Sequence, residues 1–276
     1  MLTSYVTNGK QLQFTEPIVM AIVNLTPDSF YDAGKLSTPQ DILKAIEQKI
    51  IDGATIIDIG AASSKPNAIA LSANEEIARL REPLIAIRKE FPHILLSIDT
   101  YQSASAEFAI HNGIDIVNDI SGGESDAAMF PLIAKHDIPY ILMHMQGTPQ
   151  TMQQQPTYSN VVTDVYSYFE TKINDCKQVG IKQLILDVGF GFGKTTEHNY
   201  QLLKQLAYFK SLGYPLLAGL SRKSMINNII DTTAAEALNG TSVLNTIALL
   251  NGATILRVHD VKEATQAIKL VNYYQK

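Results

Sequence analysis

The chain has 276 residues, of which 46% are hydrophobic and 18% are charged, so it can bury a full-sized core within one domain spanning residues 1–276. Its 22 basic and 27 acidic residues give a net charge of −5, which excludes a general positive field for nucleic acid or an anionic membrane. The single cysteine, Cys176, excludes a disulfide within the chain.

The first residues lack the apolar segment of a secretion signal, and no apolar run reaches the roughly 18 residues that a membrane span requires. We therefore expect a cytoplasmic protein. The segment YVTNGKQLQF from Tyr5 alternates around Asn8 and Gly9, a pair that supplies the positive φ angles of a hairpin turn. It predicts an N-terminal β-hairpin within residues 1–16 that plugs or flanks a larger unit.

Eight short apolar runs follow, each succeeded by a segment with helical periodicity. The runs are continuously apolar, as parallel strands covered by helices are. Eight strand–helix units in this length predict a closed (β/α)8 TIM barrel, and an open doubly wound sheet is the alternative. The runs begin at Ile18, Ala54, Ile94, Ile114, Pro139, Gln183, Pro215 and Thr254.

Each apolar run ends with polar residues. The carboxyl ends of parallel barrel strands lie on one face, so these residues are expected to converge on one pocket. Taken singly, Asp58 or Asn118 could equally well cap a helix or satisfy an internal hydrogen bond. The residues are Asn24, Asp58, Asp99, Asn118, His144, Asp187, Ser221, Arg257 and His259.

Two electrostatic halves are expected in this pocket. Asp99, Asn118 and Asp187 offer acceptors and an amide that suit a flat, donor-rich heterocycle such as a guanine-like or a pterin ring; metal ligation by the two aspartates is the alternative. Arg257 and His259 are two residues apart on one strand and therefore point to the same side. They form a cationic half that could hold a diphosphate.

Two further motifs bear on anion binding. The segment SRKS from Ser221 opens a predicted helix, whose free N–H groups and Lys223 would attract a phosphate or a carboxylate. The segment GFGFGKT from Gly189 has the wrong glycine spacing for a P-loop. Its glycines indicate a close backbone approach, with Phe190 and Phe192 as apolar walls.

Eight motifs occur in this order along the chain: IVNLTPDSFYDAG, DIGAASSKPNA, LSIDT, VNDISGG, LMHMQGTP, LDVGFGFGKT, GLSRKSM and RVHDVKE. In combination, they resemble the dihydropteroate synthase family from Ile18 to about Ile268. The family's reaction moves a dihydropterin-methyl group from its 6-hydroxymethyl diphosphate to the amino nitrogen of p-aminobenzoate and releases pyrophosphate; its enzymes are sulfonamide targets.

The resemblance also implies roles for individual residues, with Mg²⁺ as the cofactor and two small molecules as the substrates. The loop NLTPDSFYD from Asn24 would cover the reacting carbon. The implied pterin site is Asp99, Asn118, Met143, Asp187 and Lys223. The implied diphosphate site is Asn24, Ser64, Arg257 and His259, with Asn24 at the Mg²⁺. The implied p-aminobenzoate site is Ser64, Lys65, Pro66, Phe192 and Ser224. The implied catalytic residues are Asn24, Phe30, Asp32, Lys223, Arg257 and His259.

The sequence departs from the family pattern in its second loop. The family usually has a segment close to E-S-T-R-P-G there, whereas this chain has ASSKPN from Ala62 to Asn67. Lys65 lacks the bidentate fork of arginine, so we expect an altered affinity for aminobenzoate or for sulfonamides. A non-catalytic pterin-binding paralogue and a pterin-dependent methyltransferase remain as alternatives. A homodimer is expected, with an edge that includes apolar residues of the last helices: Leu249, Leu250, Ile268 and Val271.

Overall fold

A computed structural model of the chain describes residues 4–25, 38–62, 71–152 and 156–276. Eight parallel strands close into a barrel in the order β10-β3-β4-β5-β6-β7-β8-β9, which confirms the predicted TIM barrel over the open sheet. Each predicted apolar run contains one strand. The barrel strands are β3 (Ile18–Asn24), β4 (Ile56–Gly60), β5 (Leu95–Asp99), β6 (Ile116–Asp119), β7 (Tyr140–Met143), β8 (Leu184–Asp187), β9 (Leu216–Ala218) and β10 (Ile255–Val258).

Helices cover the outside of the barrel, and an outer apolar core fills the space between them and the strands. Local sequence sets where they begin: Thr38 with Asp41 and Ser72 with Glu75 form capping boxes at the first two helices. Two helices, not one, follow β9. The described helices are α1 (Pro39–Ile51), α2 (Ala73–Glu90), α3 (Ser103–His111), α4 (Met129–His136), α5 (Val161–Gln178), α6 (Thr196–Lys204), α7 (Ser224–Ile230), α8 (Leu238–Leu250) and α9 (Val261–Tyr274).

The predicted N-terminal hairpin is confirmed as β1 (Ser4–Thr7) and β2 (Lys10–Gln13). Asn8 and Gly9 make its turn with positive φ angles of 49° and 74°. The hairpin plugs the barrel rather than flanking it, because Tyr5, Leu12 and Phe14 pack against the first inward-facing layer of the eight strands.

Asp115, which is fully buried just before β6, ties this plug in place. Its carboxylate accepts from Lys10 Nζ at 2.9 Å and from Arg88 Nη2 at 2.7 Å, and also from Asn8 Nδ2 and the backbone N–H of Leu96. These contacts lie at the beginnings of the strands. The hairpin therefore closes the N-terminal end of the barrel and leaves the C-terminal end, which we call the mouth, for a site.

The last helices present a different apolar face from the one expected. Leu249, Ile268 and Val271 are buried in the outer core and are no part of an exposed edge. Their burial follows from the helical period, which turns them toward the strands. Of the four residues predicted for a dimer edge, Leu250 alone is exposed; Val243, Leu270 and Tyr273 are exposed beside it on α8 and α9.

Candidate active site

The floor of the mouth is the second inward-facing layer of the barrel. Inward positions recur every two residues along a strand, and the first such layer is the apolar one that the hairpin covers. Two residues further along, the sequence changes from Ile, Leu and Met to mostly polar or small side chains, and this change creates a polar floor above an apolar plug. The second layer consists of Ile22, Asp58, Ser97, Asn118, Met143, Asp187, Gly219 and Arg257.

Arg257 lies at the centre of this floor, between two carboxylates. Its Nε donates to Asp58 Oδ2 at 2.6 Å and its Nη2 donates to Asp99 Oδ2 at 2.6 Å. Asn118 Nδ2 donates to the same oxygen of Asp58 at 3.2 Å. The expected separation into an acceptor half and a cationic half is therefore wrong, because Arg257 of one half is ion-paired with Asp99 of the other.

Burial governs the ionisation of the carboxyl group of Asp99. Desolvation raises its pKa to about 7; the Arg257 charge opposes the shift, whereas Asp58 and Glu76 add to it. Asp99 therefore becomes a full carboxylate, and a stronger acceptor for N–H donors, as the pH rises through neutrality.

Asp187 and Lys223 bring a second pair of opposite charges to the mouth, both close to Gly219. A Cβ at Gly219 would lie 3.7 Å from Lys223 Nζ and 4.0 Å from Asp187 Oδ2. Desolvation raises the pKa of Asp187, and the Lys223 charge opposes this rise. Desolvation lowers the pKa of Lys223 to about 8, with Asp187 opposing. At pH 7 the pair therefore consists of a cation and a carboxyl group that are each costly to keep charged.

Lys223 also lies against the loop that follows β8. Its Nζ donates to the carbonyl of Phe190 and lies 4.8 Å from the ring centroid of Phe192, a cation–π distance. Phe190 itself is fully buried in the outer core, so the expectation that it forms a pocket wall is wrong. The reason is that Phe190 lies two residues after the outward-facing Val188 and so shares its side, whereas the inward-facing Asp187 is three residues away. Phe192 remains as the half-buried aromatic beside the mouth.

His259 is positioned by Ser221. Ser221 Oγ accepts from the backbone N–H of His259 at 3.2 Å and lies 3.0 Å from its Nδ1. With its oxygen accepting, the hydroxyl proton can go to Nδ1, which leaves the proton of the ring on Nε2. Desolvation, with Arg257 and Lys49 adding to it, lowers the pKa of His259 to about 3. The imidazole is thus a neutral donor, and its assignment as a cation of the mouth is wrong.

The glycine-rich loop approaches the end of β7 closely, as its sequence indicates. Gly189 and Gly193 have φ angles of 70° and 63°, and a Cβ at either would collide with a backbone carbonyl, of His144 and of Gln146 respectively. Lys194 is buried between these segments. Its Nζ donates to the carbonyls of Gly189 and Phe192 at 2.9 Å each and to that of His144 at 3.2 Å.

Asn24 ends β3 beside Gly60 and Asp99. A Cβ at Gly60 would lie 3.6 Å from both Asn24 Oδ1 and Asp99 Cβ, so the missing side chain leaves room between them. Ser224 begins α7 and is exposed. The predicted site residues Phe30, Asp32, Ser64, Lys65 and Pro66 lie outside the described residues.

Comparisons with known proteins match this arrangement. The model of the family described as pterin binding enzyme matches residues 20–259. The dihydropteroate synthases of Haemophilus influenzae and Escherichia coli are each 42% identical over 95% of this chain, and over 96% and 93% of their own lengths.

The chain belongs to the dihydropteroate synthase family.

Solved structures of family members agree with this assignment. A Yersinia pestis dihydropteroate synthase in complex with a sulfonamide drug superposes with a TM-score of 0.94 and 37% identity, covering 99% of both chains. A Xanthomonas albilineans dihydropteroate synthase with 4-aminobenzoic acid superposes with a TM-score of 0.92 and 32% identity, covering 100% of this chain and 99% of its own. As a family member the chain is a transferase. Within the described residues, the helices are too short or too polar to cross a membrane.

For this synthase family member, the structure brings together most of the described residues that the sequence predicted. Asn24, Asp99, Asn118, Asp187, Lys223 and Arg257 lie at the mouth, whereas His144 does not face it. The ring of His144 packs edge-on against Tyr168 of α5, with centroids 4.8 Å apart, and its Nδ1 is 3.0 Å from Lys194 Nζ. It follows the inward-facing Met143, and alternation along the strand turns it outward.

Sequence reasoning missed two lysines that support the site. Lys194 joins the β7 and β8 loops, and the lysine in GFGFGKT was its signal, although nothing local showed that it would be buried. Lys49, on α1, donates to the carbonyl of His259 at 3.2 Å; no local pattern marks it. The sequence named Asp58 but left its role open, and that role is to hold Arg257 and Asn118.

Proposed function

We propose that this chain condenses 6-hydroxymethyl-7,8-dihydropterin diphosphate with p-aminobenzoate to give 7,8-dihydropteroate and pyrophosphate. The observation that carries the proposal is the set of charges at the mouth, where Asp99 lies beside Arg257 and Asp187 lies near Lys223. It offers acceptors for a donor-rich ring and cations for a diphosphate within one pocket. The 4-aminobenzoic acid in the Xanthomonas albilineans structure is consistent with the second substrate.

The pterin is held through its hydrogen-bonding edges. The carboxylates of Asp187 and Asp99 accept from ring N–H and amino groups, and a carboxylate can accept two such bonds at once. The amide of Asn118 adds a donor and an acceptor, while Lys223 donates to ring acceptors. Met143, inward-facing and 2% exposed, provides apolar surface for the face of the ring.

Loss of diphosphate is the difficult step. The amino nitrogen of p-aminobenzoate is already neutral at pH 7, so it needs no strong general base, and the barrier lies in breaking the carbon–oxygen bond. Arg257 places a permanent positive charge near the departing oxygens, and the neutral Nε2–H of His259 donates a hydrogen bond to them. The pterin ring delocalises the positive charge that develops on its methylene, which favours a dissociative path.

Asn24 is the described residue that we assign to Mg²⁺. Magnesium takes oxygen ligands and commonly keeps waters and substrate phosphates beside one or two protein groups, and the side-chain oxygen of Asn24 lies at the end of β3, 3.6 Å from the position that a Cβ of Gly60 would take. The donor set therefore fits the ion. When bound, Mg²⁺ would neutralise charge on the diphosphate.

A pyrophosphate-release assay tests the function. With dihydropterin diphosphate and Mg²⁺, we expect release that depends on p-aminobenzoate. Asp187→Asn should lower kcat/KM by about 10- to 100-fold, because a charged hydrogen bond contributes about 1.5–3 kcal/mol. Lys182→Ala, which removes one end of an exposed 3.9 Å ion pair, is the control and should match the parent. Pterin binding without release would refute the proposal in favour of the non-catalytic paralogue.

We also infer that the enzyme is a cytoplasmic homodimer and a sulfonamide target. The exposed apolar residues of α8 and α9, Val243, Leu250, Leu270 and Tyr273, supply a face for the dimer. Light scattering after size exclusion should give twice 30.3 kDa, and a monomer would refute the dimer.

Sulfonamide inhibition that is competitive with p-aminobenzoate, with a changed inhibition constant in Lys65→Arg, would support the drug site. An unchanged inhibition constant in Lys65→Arg would remove the role of Lys65.

A further inference from the structure

Three side chains that can bind a metal meet on the outside of the barrel, between α3 and α4. Glu107 and His111 are four residues apart on α3 and therefore share one face of that helix. His136 is on α4. One ligand atom from each residue lies within 4.8 Å of the others, and the two imidazole rings stand edge to face with centroids 5.6 Å apart and an interplanar angle of 89°.

The position of this cluster favours a cation. His111 and His136 are the last residues of their helices, where the partial negative charge of the helix dipole lies. Helices of this barrel run opposite to the strands, so their last residues lie at the end of the barrel away from the mouth. The cluster is therefore separate from the pterin site.

The His136 ring is available for a ligand. Its Nε2 is buried and has no hydrogen-bond partner within the described part of the chain. Binding a metal through this ring would break no existing Nε2 hydrogen bond. Glu107 contacts Lys135 at 3.4 Å, but both side chains are largely exposed, and such a pair contributes only about 0–1 kcal/mol. It would not compete with a transition metal for the carboxylate.

We propose that Glu107, His111 and His136 bind a divalent transition metal of the Zn²⁺ class and thereby fasten α3 to α4. Two imidazoles and one carboxylate are a donor set for Zn²⁺, Cu²⁺ or Ni²⁺, whereas Mg²⁺ prefers an all-oxygen set. Ligand atoms at zinc lie roughly 3.3 Å apart, given bonds of about 2.0–2.2 Å. Side-chain rotation closes the remaining gap, because none of the three side chains is fully buried. The fourth position is open to water.

Zinc titration of the full chain, without an affinity tag and after chelator treatment, tests the site. We expect one Zn²⁺ per chain by calorimetry, a rise in Tm with Zn²⁺, since a ligand that binds the folded state stabilises it, and no comparable rise with Mg²⁺. Co²⁺ should give the visible absorption of a low-coordinate site.

Two variants remove ligands without disturbing the core. His111→Ala, at an exposed position, and Glu107→Gln should each weaken Zn²⁺ binding by more than about tenfold. Even the loss of a residue that only hydrogen-bonds to a metal ligand commonly lowers metal affinity by about tenfold. His93→Ala removes an exposed histidine elsewhere and should bind as the parent does. The proposal is overturned if the parent binds no stoichiometric Zn²⁺, or if both ligand variants bind it as tightly as the parent.

Discussion

Replacing Arg257 with methionine tests whether the mouth depends on one cation held between two carboxylates. Asp58 is fully buried, Asp99 is 12% exposed and Arg257 is 18% exposed, so solvent screens these pairs little. Each charged hydrogen bond, at 2.6 Å, contributes about 1.5–3 kcal/mol, so two give about 3–6 kcal/mol. Breaking a buried ion pair costs about 3–5 kcal/mol. We expect a loss in unfolding free energy of about 4 kcal/mol at pH 8.

The loss should depend on pH in a defined direction. Arg257 is the charge that opposes the raised pKa of Asp99, so its removal raises that pKa above 7. A folded-state carboxyl pKa above the unfolded value of about 3.9 means that the folded state binds more protons, and stability then falls as the pH rises between the two values. Urea unfolding followed by circular dichroism should therefore show a smaller loss at pH 5 than at pH 8.

A double variant separates the lost attraction from the charge left behind. Adding Asp58→Asn to Arg257→Met removes the fully buried carboxylate that lost its partner, so the double variant should be less unstable than the sum of the two single changes. Arg81→Met is the control, because Arg81 is exposed and lies 4.9 Å from the ring centroid of Phe108; it should cost less than about 1 kcal/mol. A loss below about 1 kcal/mol for Arg257→Met at pH 8, or strict additivity with Asp58→Asn, would refute the reasoning.

Three further predictions follow from single sites. The value of kcat/KM should fall above about pH 8 as Lys223 loses its proton, and Lys223→Arg should remove that fall. If the fall stays at the same pH in Lys223→Arg, another group is responsible for it. Asp115→Ala should lower the free energy of unfolding in urea by about 3–5 kcal/mol with little change in kcat. The control Lys182→Ala, which removes one end of an exposed ion pair, should lower it by about 0–1 kcal/mol. Equal losses would contradict the role of Asp115 in holding the N-terminal hairpin. Gly189→Ala should destabilise the chain more than Gly213→Ala in thermal unfolding, because both have positive φ angles but a Cβ at Gly213 meets nothing within 4 Å; equal effects would exclude the backbone collision.

The strands and their order could be predicted because the apolar runs record burial on both faces. The same reasoning located the inward-facing Asp99, Asn118 and Asp187, since each ends an apolar run. It failed at His144, where the polar residue lies one position past the inward-facing Met143. A shift of one residue along a strand reverses the side on which a side chain lies, and run ends alone do not set that register.

Ionisation and pairing could not be predicted from the sequence because they depend on contacts between distant segments. His259 is neutral since burial and Arg257 disfavour its charge, and Arg257 meets Asp58 across 199 positions of sequence. The expectation of separate acceptor and cationic halves assumed that the carboxylates and the cations would not pair with each other. In a buried site such groups pair with each other, because an unpaired buried charge is more costly than a paired one.

This pairing bears on how one substrate would be recognised at both of its ends. On the proposed function, Asp99 accepts hydrogen bonds from the pterin, and Arg257 donates to the oxygens of the diphosphate. Each new interaction weakens the hydrogen bond that Arg257 donates to Asp99. A ligand with the ring alone would offer Asp99 new partners but leave Arg257 with a weakened one, and pyrophosphate alone would do the reverse. A molecule that carries both parts replaces both sides of the ion pair at once. On the proposed function, the Asp99–Arg257 contact would therefore favour the joined pterin diphosphate over either fragment, and the bond from Arg257 Nε to Asp58 would keep the guanidinium in place during the exchange.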